Sequence, residues 1–143
     1  MTTIASAQIT STAPAAAFFE KWADMATWPE WNSDTEWVRL DGPFESGATG
    51  RLKPKGAPAV KFTVAQLVPG ERFVDVSRLI LADLTFDHRV TSVPEGVEIT
   101  VKVRITGPLG WLWKRLMGAG IAATLGADLQ NLAAAAERVE VRR

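Results

Sequence analysis

The sequence predicts an α+β fold: a curved antiparallel sheet of about seven strands wrapped around a long C-terminal helix, with two short helices after the first strand. Three observations predict it. Val97, Ile99, Val101, Val103 and Ile105 alternate with Glu98, Thr100, Lys102 and Arg104, the pattern of an antiparallel strand with one wet face. From Met117, the apolar residues Ile121, Leu125, Leu129, Leu132, Ala136 and Val139 follow the spacing of one buried helical stripe. Between Asp34 and that helix, strand-like runs are joined by short turns, which favour a meander over parallel crossovers. A sheet with one apolar face needs a cover, and the helix supplies it, leaving space between them for a small apolar ligand.

Residues 3–10 alternate small and polar side chains and form the first strand. Ser11 or Thr12 then caps a helix with Pro14 in its first turn, running from Ala15 to about Met25, with Phe18, Phe19 and Trp22 on its apolar face. Pro29 disfavours helix at Trp28, so residues 27–32 read as a break followed by one short turn. Strands follow at 35–40, 49–53, 60–68, 72–80, 83–93 and 97–105, each bounded by Gly, Pro or Asp. The terminal helix spans 107–139 with Pro108 in its first turn, and residues 141–143 read as a frayed tail. With no repeat or linker, residues 1–143 read as a single ligand-binding domain.

Composition removes several function classes. The 16 basic and 16 acidic residues cancel, so no global field favours nucleic acid or an anionic membrane. Zero Cys excludes thiolate nucleophiles and thiolate metal sites, and a single His excludes a multi-His metal centre. Zero Tyr removes phenol as a catalytic acid. No metal or cofactor is expected. The first basic residue is Lys21 and no signal-like apolar run precedes it, which points to the cytoplasm. The longest uncharged apolar run, 116–127, is well short of the ~20 residues that span a bilayer, so no integral membrane segment is expected.

The order of elements is joined by local patterns: Trp28-Pro29-Glu30-Trp31-Asn32 after the first helix, and Phe44-Glu45-Ser46-Gly47-Ala48-Thr49-Gly50 between early strands. Val68-Pro69-Gly70-Glu71-Arg72-Phe73 at a mid-sheet turn and Gly107-Pro108 before the terminal helix complete the set. Over nearly its whole length the chain resembles the START-like (SRPBCC) helix-grip superfamily, in particular its bacterial polyketide cyclase/dehydrase and lipid-transport group. The resemblance implies a helix-grip fold. Members include hydrophobic-ligand carriers, aromatase/cyclases and proteins with no known ligand, so function has to be argued from the site.

His88 is the only side chain whose ordinary pKa lies near neutrality. The period of two puts it with Leu84, Phe86 and Val90 on the apolar face, while Asp87 faces the other way. A satisfied core histidine, a ligand hydrogen-bonder and a general acid or base are the three readings. His88 is thus a weak catalytic candidate, and no other is named. The expected ligand-binding residues are Trp28, Trp31, Phe62, Phe86, His88, Val101, Trp113, Met117 and Ile121. Trp111 and Trp113 lie on different sides of a helix, so at most one faces inward. Gly118-Ala119-Gly120-Ile121-Ala122-Ala123 matches a dinucleotide fingerprint in spelling only, because it lies inside a helix. Its glycines, with Gly126, suggest a close sheet crossing or room for a ligand, the first being favoured. Arg51, Lys53 and Lys55 read as a solvated strand face.

Three function classes follow. The leading one is binding, transport or sequestration of a small hydrophobic molecule; burying ~300 Å² of apolar ligand is worth ~7 kcal/mol before association costs. A cyclase/dehydrase-like enzyme using the same cavity is the second. The third is a protein-interaction module, with a homodimer left open.

Overall fold

The computed structural model describes residues 2–141. Seven strands form one antiparallel sheet: β1 (Thr2–Ser11), β2 (Thr35–Asp41), β3 (Thr49–Pro54), β4 (Val60–Val68), β5 (Arg72–Leu79), β6 (Ala82–Val93) and β7 (Gly96–Thr106). The spatial order is β1-β7-β6-β5-β4-β3-β2. Every consecutive pair from β2 to β7 is a hairpin, as short turns require, and β1 closes the far edge against β7. Register shifts in β1, β2 and β4 insert bulges that bend the sheet. Gly50 serves the same curvature: a β-carbon there would overlap the Arg39 carbonyl and the Phe62 ring.

Helix α1 (Ala15–Ala23) and a 3₁₀ helix (Met25–Glu30) follow β1, and α2 (Gly110–Val141) ends the described chain. Helix α1 is thus two residues shorter than expected at its C-terminal end, and the break is a full 3₁₀ segment containing Pro29. Pro14 itself occupies the N-cap with extended backbone and no side-chain cap, correcting the assignment to Ser11 or Thr12. The Ser11 hydroxyl is used elsewhere: it accepts the Ala13 N–H at 3.1 Å and donates to Glu137 at 2.7 Å. Helix α2 starts at Gly110, three residues after the expected Gly107. Gly107 has φ +110°, outside the helical region, and the Leu109 N–H is taken by the Leu81 carbonyl at 3.0 Å. Residues Arg142 and Arg143 of the expected tail lie outside the described residues.

The C-terminal half of α2 buries Leu129, Leu132, Ala133 and Ala136. Its small side chains let it lie close against its main neighbours, β1 and α1. The N-terminal half touches β6 and β7 and stands over the concave face with Met117, Ile121 and Leu125 only partly buried. The expected close crossing at the glycines is not there. Nothing lies within 4 Å of a β-carbon built at Gly120 or Gly126, and Gly118 meets only a Lys114 methylene. These glycines instead weaken that half of the helix by up to ~1 kcal/mol each. The exposed large apolar residues Ile80, Leu81, Trp111 and Leu116 belong to this end, the β5–β6 turn and the start of α2. No helix among the described residues is long and apolar enough to cross a membrane.

Charge is segregated across the sheet. On the face away from α2, Asp87 is almost fully buried, accepts two bonds from Arg72 at 3.0 and 2.8 Å and one from Arg89 at 3.4 Å, and has Arg104 at 3.9 Å. Burial alone would raise the Asp87 pKa, but the Arg72 and Arg89 guanidinium groups together hold the carboxyl below its usual range. Lys53 pairs with Glu36, in keeping with a solvated β2–β3 surface.

Candidate functional site

Because α2 packs chiefly on β1 and α1, it stands off the concave side of β3–β5. A cavity of about 250 Å³ fills that gap. Its sheet wall is built by alternation: Leu52 from β3, Val60 and Phe62 from β4, Asp75, Ser77 and Leu79 from β5, Leu84, Phe86 and His88 from β6, and Val101 from β7. Met117, Ile121, Leu125, Leu129 and Leu132 form the helical wall, and Trp22, Trp28 and Trp31 close one end. The polar rim is Asn32, Asp34, Thr35, Thr124 and Asp128.

Aromatic packing sets the tryptophan end. The Trp28 indole N–H donates to the Trp22 carbonyl at 3.1 Å, and the Trp28 and Trp31 rings lie 5.6 Å apart. Among the described residues the buried indole N–H groups of Trp22 and Trp31 have no acceptor.

His88 stacks on Phe73 at 4.8 Å with 14° between planes, and Trp22 lies 5.1 Å away. Its Nδ1 is 2.9 Å from the Phe73 carbonyl. A carbonyl only accepts, so Nδ1 carries the proton and Nε2 of the neutral ring is an acceptor. The ring's remaining open surface belongs to the cavity wall. Burial pushes its pKa down to about 4, the Phe73 bond and the Asp87 charge opposing weakly. His88 is a neutral acceptor at pH 7, not a cation.

Asp75 is the second polar group of the sheet wall. It is 7% exposed, lies in phase with Phe73 and Ser77, and is directly opposite Phe86 across β5–β6. No donor among the described residues reaches its carboxyl. Burial alone raises its pKa to about 7. At the rim, Asp128 accepts from the Ser33 N–H at 3.2 Å and the Ser33 hydroxyl at 3.0 Å, while Asp34 accepts from Thr124 at 3.0 Å. Burial raises the Asp128 pKa, with the Asp34 charge adding to it and the Ser33 bonds opposing. Among the described residues no cluster of acidic and His side chains is arranged to hold a metal.

Of the nine residues expected at a ligand site, Trp28, Trp31, Phe62, Phe86, His88, Val101, Met117 and Ile121 meet around the cavity. Trp113 does not. Its indole N–H donates to the Ile80 carbonyl at 2.8 Å, tying α2 to the β5–β6 turn. Trp111 is 65% exposed, so only Trp113 of that pair packs inward against the core. Sequence reasoning missed Asp75, Ser77, Asp128 and Trp22. The signal for the first two was present, since Phe73, Asp75, Ser77 and Leu79 share the inward phase of β5.

A bent antiparallel sheet gripping a long C-terminal helix, with a cavity between them, defines a helix-grip fold. The chain belongs to the polyketide cyclase/dehydrase and lipid transport family, whose model matches residues 2–137. Solved structures agree on the fold. A Mesorhizobium loti protein superposes with a TM-score of 0.73 at 11% identity, over 93% of this chain and 96% of that one. The di-domain ARO/CYC StfQ from the steffimycin biosynthetic pathway gives 0.75 at 13% identity, over 94% of this chain and 51% of StfQ. A Thermus thermophilus protein gives 0.70 at 12% identity, over 94% of this chain and 97% of its own. No curated protein matches the chain.

Proposed function

We propose that the protein binds a small hydrophobic molecule in the cavity between the sheet and α2. The observation that carries this reading is the cavity itself: about 250 Å³, walled by Trp, Phe, Leu, Ile, Val and Met, with a few polar groups at set positions. An apolar space of that size forgoes packing energy unless something fills it. Membership of a lipid-transport and cyclase family supports the same reading. Trp28, Trp31, Phe62, Phe86, Val101, Met117 and Ile121 are the proposed apolar contacts, and His88 a hydrogen-bond acceptor through Nε2.

A second reading is favoured by one observation, the presence of two titratable groups, Asp75 and His88, in the cavity wall. A carboxyl with a pKa of about 7 is suited to giving and taking a proton at neutral pH. A cyclase/dehydrase-like step would use it in that role. Gentle purification followed by native mass spectrometry and solvent extraction tests both readings. Recovery of an apolar compound at near one per chain is expected. A recovered pair of compounds differing by one water would favour the enzyme. Protein free of any such compound, and unable to take up a neutral apolar dye, would overturn both.

A further inference from the structure

The charged inventory of the cavity is one-sided. Among the described residues Asp34, Asp75 and Asp128 line it, and no Lys or Arg does. The overall balance of 16 basic and 16 acidic residues hides this, because Arg72, Arg89 and Arg104 are spent on Asp87 on the opposite face of the sheet. His88 adds no positive charge, since its half-buried ring, donating through Nδ1 to the Phe73 carbonyl, is neutral at pH 7. The two rim carboxylates are satisfied by Ser33 and Thr124. Asp75 is not: it is only 7% exposed, faces the cavity, and has no hydrogen-bond partner among the described residues.

We propose that the cavity selects a hydrophobic amine, an apolar body whose protonated nitrogen pairs with the Asp75 carboxylate. This rests on the proposed ligand-binding function and narrows it to a chemical class. A fatty acid or phosphate ester would bring an anion to a cavity lined by three Asp side chains and no Lys or Arg, and would meet repulsion, most strongly from the buried Asp75. A neutral alcohol would gain one hydrogen bond. An ammonium group gains a full ion pair where the partner is already desolvated, so the loss of its own hydration is the main opposing term. The Ser77 hydroxyl, two residues along the same face, is a further acceptor, and the tryptophan rings attract a cation through their faces.

Displacement of the neutral dye Nile red from the full chain by octylamine, octan-1-ol and octanoate at pH 7 tests this. Octylamine is expected to bind at least about tenfold more tightly than octanoate, with octanol between them. In Asp75→Asn that ratio falls to within about threefold, with octanol still displacing the dye. Octanoate binding as tightly as octylamine in the unaltered protein, or an unchanged ratio in the variant, would overturn the amine assignment while octanol binding upheld the cavity. If octanol fails as well, the cavity reading itself falls.

Discussion

Asp75→Asn is expected to raise folding stability at about pH 8 by about 2–4 kcal/mol, an unusual sign for a substitution in a protein interior. The reason is linkage. Burial lifts the Asp75 pKa from 3.8 to about 7, so the native state holds that proton more tightly than the unfolded chain. The stability this contributes is complete below the ordinary carboxyl pKa and is lost as pH rises through about 7. Above that, folding must bury an unpaired carboxylate, and a carboxyl moved that far carries about 4 kcal/mol. The amide has no charge to bury. His88 acts in the opposite direction: its pKa is lowered from 6.5 to about 4, so its stabilisation is present above the ordinary value and lost as pH falls toward about 4. Over that window the two slopes oppose each other in the parent protein. Urea melts of Asp75→Asn should therefore reveal a stability that rises from about pH 4 to 6.5 and then stays level. A variant less stable than the parent at about pH 8 would show that Asp75 has a partner.

Trp22→Ala is expected to lose about 3–5 kcal/mol. The ring is fully buried, meets Phe19 edge-on at 5.0 Å, packs on Phe73 at 5.6 Å and His88 at 5.1 Å, and links α1 to the inner face of the sheet. Removing it also enlarges a cavity that is already present, so the surroundings have little to collapse onto. The effect is read as a drop in the urea midpoint. Trp111→Ala, at a largely exposed position of the same residue type, should stay within about 0.5 kcal/mol. Similar losses for the two would contradict the packing described for α1.

The fold was legible where one physical preference dominated. Alternation in 97–105 and the stripe from Met117 to Ala136 specify a half-wet strand and a covering helix, and both are present. The phase of β6 correctly sent His88 inward and Asp87 outward. Boundaries were less legible because competing local bonds decide them. Gly107 and the Leu81 carbonyl delay α2, and Pro14 caps α1 without a side chain. The open space beside the α2 glycines is not legible, because helical spacing says which residues share a face but not how far away the next layer lies. Trp113 has the chemistry of a pocket wall, but its indole N–H bond to the Ile80 carbonyl is a long-range contact that no local pattern reports. Asp75 is hidden for the converse reason. A carboxylate in a strand usually marks the wet face, and only its phase with Phe73 argued otherwise.

The central claim is that an apolar ligand occupies the space between α2 and the strands β3–β6. Titration of the isotope-labelled protein with octan-1-ol, followed by heteronuclear NMR, tests it most directly. Shifts concentrated at the indole and methyl groups of Trp28, Trp31, Met117, Ile121 and Val101, saturating at one equivalent, are the predicted result. Shifts confined to Ile80, Leu81, Trp111 and Leu116 on the outer surface, or none that saturate, would contradict it.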